Sequence, residues 1–273
     1  MNEKRYSFPL AIQVRLPEDY RTNQAFGRQL GLLADYGFRG VELNVARPAE
    51  TDPADILSFL REAGLELTVF ASGLTAKTLG LSLSHQDEDV RRRSVEQCLR
   101  LLDFCGRLGV GIIVGFLQGG VMDDVQGARD RFRLSLDEVA PHAEECRVPF
   151  VLEAVNRYIS SVANSLAGTY ELIRDHAGPY VRMLPDTFHM NIEERDLIGA
   201  LKEFAPHFDS VHLSDNNRLC PGLGAIDFER IIDALLQMGY NGGVAIEAEI
   251  EESFEEDLER SMRYLAPILE EGG

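Results

Sequence analysis

The sequence predicts an α/β protein folded as a single closed (β/α)8 barrel of the TIM type over residues 1–273. Three observations predict it. The length of 273 residues suits one such barrel of roughly 250 residues. Eight short apolar runs alternate with helix-length amphipathic segments, the order expected of parallel strands with crossover helices. Each run is continuously apolar rather than alternating, as strands buried on both faces are. A doubly wound open sheet would declare a GxGxxG turn after its first strand, and IQVRLPEDY has none.

The elements follow in order. FPLAIQV is the first strand, and a helix from Asn23 to Tyr36 closes at Gly37. RGVELNV is the second strand, with Glu42 towards its end. Asp52-Pro53 opens a helix as a capping residue followed by proline does, and Gly64 ends it. LELTVF is the third strand, followed by a long loop through Gly73 and Gly80 and a helix from Asp87 to Leu108. GVGIIVGF is the fourth, before a helix from Val125 to Arg147, and VPFVLEAV is the fifth, ending in Glu153. Ser165 to His176 is helical, VRMLPD is strand six, and Asn191 with Glu194 reads as a capping box opening a helix to Phe204. FDSVHLSD is strand seven, Asp227 opens a helix to Met238, GGVAIEAEI is strand eight, and a charged helix ends the chain. The loop at Gly73–His85 and the segment Gln118–Asp124 are candidate lids.

Composition narrows the function classes. The net charge of −18 repels polyanions, which disfavours a nucleic-acid partner but not a neutral sugar or a divalent cation. The longest apolar runs are strand-sized, too short to cross a bilayer, and MNEKRYSF lacks the apolar centre of a signal peptide, so a cytoplasmic protein without membrane partner is expected. Cys98, Cys105, Cys146 and Cys220 form no CxxC pair, which argues against a disulfide framework or a structural zinc site; Cys98 and Cys105, seven apart, fall on one helix face as buried hydrophobes.

The chemistry concentrates at strand ends. Glu153, Asp186, His212 and Glu247 lie 33, 26 and 35 residues apart, close to the roughly 30 residues of one βα repeat. They therefore fall at equivalent heights on four consecutive strands, whose curvature turns their ends inward. Three carboxylates and an imidazole so placed repel or protonate unless a cation joins them. One divalent metal ion resolves this, and an oxygen-rich set with one histidine suits Mn²⁺, Co²⁺ or Mg²⁺ better than zinc. The bland alternative is four isolated strand termini bonded locally; four in succession at repeat spacing weigh against it. Asp186 alone would also serve as a helix cap.

His189 and Arg218 leave the same mouth in the following loops, where an imidazole and a guanidinium hold a substrate oxygen and stabilise charge developing on it. Spacing alone leaves open a surface Arg218 paired with Asp215. Gly222 and Gly224 shape a loop more readily than they bind phosphate, given so few basic residues nearby. Glu42 reads as packing or a hydrogen bond inside the mouth, and His85, His142, His176 and His207 as structural or solvated.

With these residues in view, DTFHMNIEE, LEAVNRY and HLSDNNRLCPG resemble the signatures of the ketose 3-epimerases, the D-tagatose and D-psicose enzymes of the xylose-isomerase-like barrel superfamily. The barrel pattern spans nearly the whole chain; DTFHMNIEE is the most specific motif, LEAVNRY and IEAEI the weaker ones. The resemblance implies a monosaccharide substrate and a divalent ion on Glu153, Asp186, His212 and Glu247. It implies that Glu153 and Glu247 exchange the C3 proton from opposite faces through an enediolate, that His189 and Arg218 hold the C2 oxygen, and that the protein forms a homodimer or homotetramer. Members usually carry glutamate after the NR-aromatic triplet, where Ile159 stands here, so one sugar hydroxyl contact is absent. Other readings are an aldose-ketose isomerase or sugar-phosphate epimerase of the same superfamily, an abasic-site nuclease, and a non-catalytic sugar-binding barrel. The nuclease needs more histidines and a basic face; the binding barrel does not need a complete ligand set.

Overall fold

The structure, a computed structural model, describes residues 6–270. The opening residues 1–5, part of the stretch judged to lack a signal peptide, lie outside the described residues. The elements run β1 Leu10–Arg15, α1 Gln24–Asp35, β2 Gly40–Asn44, α2 Pro53–Glu62, β3 Glu66–Ala71, α3 Gly73–Leu79, α4 Glu88–Leu108, β4 Gly111–Val114 and α5 Val125–Cys146. They continue with β5 Phe150–Glu153, α6 Leu166–Ile173, β6 Val181–Leu184, α7 Thr187–Glu193, α8 Leu197–Phe204, β7 Ser210–Leu213, α9 Phe228–Gln237, β8 Gly243–Ile246 and α10 Phe254–Leu269. All the strand pairs are parallel, in the order β6-β5-β4-β3-β2-β1-β8-β7. The predicted TIM barrel is what the chain forms.

The two end strands of that order meet at the carboxyl-end mouth. There the backbone bridges Asp186 to His212, the His212 N–H donates to the Pro185 carbonyl at 2.9 Å, and Thr187 Oγ1 donates to the Ser214 carbonyl at 2.7 Å while the Ser214 N–H donates to the same hydroxyl at 2.8 Å. The β6–β7 seam is thus stitched beside the site residues, whereas the other joints carry runs of paired residues.

The main core lies between the strands and the helices, where apolar helix faces such as Phe228, Ile231, Ile232 and Leu235 of α9 are buried. A second, smaller cluster of Ile113, Val151 and Leu184, with Val69 against it, fills the barrel interior. Because side chains alternate along a strand, Glu153 points the same way as Val151, and Asp186 continues from Leu184. An apolar plug therefore supports a polar mouth. Cys98 and Cys105 are buried on α4 as expected, and the cysteines are free thiols. Among the described residues no helix is long and apolar enough to cross a membrane.

Three expectations are corrected. Asn191 and Glu194 form no capping box: α7 begins four residues earlier, capped by Asp186, and the following helix α8 is capped by Asp196, whose carboxylate accepts from the Gly199 N–H at 3.0 Å. Asp186 wins because its extended backbone and short carboxylate suit the Ncap position, which leaves Asn191 inside the helix. Glu194 instead accepts from the Leu166 N–H of α6 at 2.7 Å. The stretch after β3 is not wholly loop, since α3 occupies it and stops at Gly80, whose φ of 62° a residue without Cβ adopts freely. The segment at Gln118 is tied down: Gln118 is buried, donates to the Glu153 carbonyl at 3.1 Å and accepts from Ala163 N–H at 2.9 Å.

Candidate active site

Glu153 ends β5, Asp186 lies two residues past β6, His212 is the third residue of β7, and Glu247 follows β8 directly. One ligand atom from each converges so that all four lie within 4.8 Å of one another. His212 Nδ1 is the hub, 2.7 Å from Glu247 Oε2, 3.5 Å from Glu153 Oε1 and 3.7 Å from Asp186 Oδ2. The predicted cluster forms.

Residues outside the predicted set orient these groups. His212 Nε2 meets Glu42 Oε2 at 2.9 Å, across the barrel interior from β2, so Glu42 bonds inside the mouth as expected. With a carboxylate on Nε2, that nitrogen carries a hydrogen; burial would lower the imidazole, but Glu42 and Glu247 override it and hold it well above its ordinary value, so an ion at the centre would have to displace a proton from Nδ1. Gln13 reaches the same Glu42 oxygen at 3.5 Å. His189 is buried, with Nε2 4.0 Å from Glu153 Oε1. Asn156 fixes its tautomer: its Oδ1 accepts from the Tyr158 N–H at 3.0 Å, so its amide nitrogen donates to His189 Nδ1 at 2.9 Å and leaves the proton on Nε2. Sequence reading missed Asn156 because Asn before a turn is ordinary; its place inside LEAVNRY was the signal available.

Arg218 is not a surface arginine paired with Asp215. It donates to Asp186 Oδ2 at 2.6 Å, lies 3.0 Å from Glu247 Oε1, and rests over the Phe188 ring. Its backbone φ of 67° is unusual for a residue with a Cβ, and strain of this kind concentrates where a side chain must be aimed. Asp215 shapes the loop instead, accepting from the N–H groups of Gly222, Gly224 and Ile226. Those amides are thereby taken, and the two glycines present no phosphate cradle. Of the other histidines, His85 accepts from the Asp87 N–H, His176 pairs with Asp137 and His207 packs on Tyr170, all outside the mouth.

The electrostatics ask for a cation. Glu153 Oε1, His212 Nδ1 and Glu247 Oε2 are buried atoms without a hydrogen-bond partner; the short His212–Glu247 approach lacks the orientation of one. Such atoms are costly unless something binds them. Burial, then Glu247, pushes the Glu153 carboxyl up to about 7. Burial would raise Asp186 and Glu247 too, but the Arg218 guanidinium beside both overrides it, holding Asp186 well below the carboxylate range and Glu247 down to about 2. Burial lowers His189, which favours a neutral imidazole. Three orphaned donor atoms of oxygen and nitrogen character, in a site with one guanidinium for several carboxylates, fit a divalent ion.

Above the cluster opens a cavity of about 820 Å³, lined by Glu153, Glu247, His189 and Arg218 with apolar Phe116, Ile159 and Phe254 and polar Gln13 and Asn44. Ile159 does face the cavity, placing an alkyl group where the resemblance implies glutamate. Gly115 lines it too, and a Cβ at that position would collide with Glu153 Oε2.

Comparison with known proteins decides the family. The family model described as xylose isomerase-like TIM barrel matches residues 30–268. The chain belongs to the xylose isomerase-like TIM barrel family. Among its relatives is a probable ketose 3-epimerase of Synechocystis sp., 30% identical over 220 residues that cover 78% of this chain and 75% of that protein. An L-ribulose 3-epimerase of Mesorhizobium japonicum is 30% identical over 237 residues, 85% of this chain and 78% of that one. The crystal structure of D-psicose 3-epimerase with D-tagatose from Clostridium cellulolyticum H10 superimposes with a TM-score of 0.80 over 96% of this chain and 100% of that one, at 23% identity, a likeness of fold.

Within this family member, Glu42 carries a prediction. Glu42→Gln removes the carboxylate that holds the His212 tautomer, and loss of such a partner typically costs about 10–100-fold in metal affinity. Titration of the metal-free variant with Mn²⁺, compared with the parent, measures it; unchanged affinity would show that His212 needs no such support.

Proposed function

We propose that the chain is a divalent-metal-dependent epimerase that inverts C3 of a ketose monosaccharide. The observation that carries this reading is the convergence of Glu153, Asp186, His212 and Glu247 around three partnerless buried atoms, in a chain whose relatives include a probable ketose 3-epimerase and an L-ribulose 3-epimerase. Those four residues would hold Mn²⁺, Co²⁺ or Mg²⁺. When bound, the ion polarises the carbonyl and so acidifies the neighbouring C–H.

Glu153 and Glu247 are the acid and base. They come from β5 and from the end of β8, two walls of the mouth, so a sugar held between them meets one carboxylate on each face of C3. One takes the C3 proton, leaving an enediolate, and the other returns a proton to the opposite face, which inverts one stereocentre. The His189 Nε2–H and the Arg218 guanidinium are donors for the C2 oxygen, where negative charge grows. The same reading takes the whole chain as one barrel domain acting in the cytoplasm.

A proton on Glu153 competes with the ion. Because its carboxyl stands near 7 and Glu42 and Glu247, against burial, hold the His212 imidazole well above its ordinary value, two protons oppose the ion, and affinity for Mn²⁺ is expected to fall by more than about tenfold for each pH unit below 7. Manganese titrations at pH 5.5, 6.5 and 7.5 measure the slope; a flat profile would place the ion elsewhere.

The deciding experiment incubates the Mn²⁺-loaded protein with a panel of ketoses in D₂O and locates incorporated deuterium by NMR. Uptake at C3 with the ketose retained is expected. Label at C1 with aldose formed would make the protein an isomerase, and no uptake from any ketose would remove the proposal.

A further inference from the structure

At the end of the barrel remote from the mouth, Asp103 near the close of α4 faces His142 and Cys146 near the close of α5. Both helices finish there just before re-entering β4 and β5 at their amino ends, so the cluster is separate from the catalytic cavity. His142 and Cys146, four apart, share one helix face. His142 Nε2 lies 2.9 Å from Asp103 Oδ1 and 3.4 Å from Cys146 Sγ, and the sulfur lies 3.5 Å from the same Asp103 oxygen.

This triangle is unlike a nucleophile relay. A relay places the acid on one imidazole nitrogen and the thiol on the other. Here acid and thiol both converge on Nε2, so the three atoms enclose one point. Ordinary zinc bond lengths to S, N and O give tetrahedral edges of about 3.3–3.6 Å, which the two edges to sulfur match, while the 2.9 Å His142–Asp103 edge is a hydrogen bond that an ion would open. On the other side of the ring, the exposed Glu145 has Oε2 3.6 Å from His142 Nδ1, an ion-pair approach too long for a hydrogen bond. His142, read from sequence as structural or solvated, and Cys146, which lacks a CxxC partner, are joined by tertiary packing instead.

We propose that Asp103, His142 and Cys146 form a Zn²⁺ site that ties α4 to α5, with water completing the coordination. The mixed sulfur and nitrogen set selects zinc, whereas the mouth, with three carboxylates and one imidazole, selects a harder ion. The inference is independent of the reaction proposed above.

Cobalt distinguishes the two sites, because the ligand set at the mouth contains no thiol. Reduced, metal-free full-length protein titrated with Co²⁺ is expected to develop a near-ultraviolet thiolate-to-cobalt charge-transfer band that one equivalent of Zn²⁺ abolishes. Cys146→Ser and His142→Ala should each lose the band, and Cys146→Ser should keep the parent's turnover within about twofold. Cys98 and Cys105 are buried on α4, and Cys220 lines the catalytic cavity, so a band arising from any of them would survive in Cys146→Ser. Cobalt bound by the parent without a thiolate band, or a band that survives in Cys146→Ser, would overturn the proposal.

Discussion

Glutamine in place of Glu247 lowers epimerisation by roughly 10²–10⁴, the usual contribution of a positioned acid or base. The amide matches the carboxylate in shape but neither accepts nor delivers the proton. Glu247 also stands in the proposed ligand set, so the comparison requires Mn²⁺ above the variant's own dissociation constant, with occupancy measured on the same sample. Two acids on opposite faces make a sharper forecast than loss of rate alone. With Glu153 intact, the ion-loaded Glu247→Gln protein still washes the C3 hydrogen from one epimer into D₂O without inverting it. Glu153→Gln shows the complementary behaviour with the other epimer. Normal turnover by either variant would refute the two-carboxylate mechanism.

The second large effect is on stability. Asp186→Ala removes several interactions at once: the cap of α7, the 2.6 Å bond to Arg218 and an acidic neighbour of His212. Breaking a fully buried ion pair costs roughly 3–5 kcal/mol, less here because Arg218 is 18% exposed and keeps Glu247, and the cap adds about 0.5–2 kcal/mol. A net loss of about 3 kcal/mol is expected, or about 6–12 °C in Tm for a chain of this size. The sign follows from proton linkage. Despite burial, Arg218 holds the folded-state carboxyl below its ordinary value, so its stabilisation is present above that ordinary value and fades as pH falls towards the folded one. Measured near pH 7, the full loss should appear, and Asp186→Asn, which keeps an oxygen for the cap, should fall between. A melting curve of Asp186→Ala equal to the parent's would mean that Arg218 finds equivalent partners elsewhere.

Much of this site was legible from spacing alone. Glu153, Asp186, His212 and Glu247 were visible because a barrel repeats: similar separations along the chain become similar heights on neighbouring strands. The repeat says nothing about which residues meet across the interior. Glu42 and His212 are 170 residues apart and on strands that do not pair, so their bond depends on closure of the whole cylinder. Arg218 was ambiguous for a related reason. Its direction is set by a left-handed backbone that no local residue preference announces, and the aspartate three positions before it was the obvious but wrong partner. The helix start at Asn191 failed where two rules competed, a capping-box pattern against an aspartate at a strand end, and backbone geometry favoured the aspartate.

The β6–β7 edge has one further meaning. Asp186 and His212 serve there as neighbours in the wall and as members of the buried cluster beneath the cavity, so whatever draws the two side chains together also latches the cylinder. Thr187 and Ser214, lashed across the same gap, keep the latch aligned when nothing pulls on it. Substitutions that slacken this edge should therefore harm turnover before they harm folding, even where they touch neither sugar nor ion.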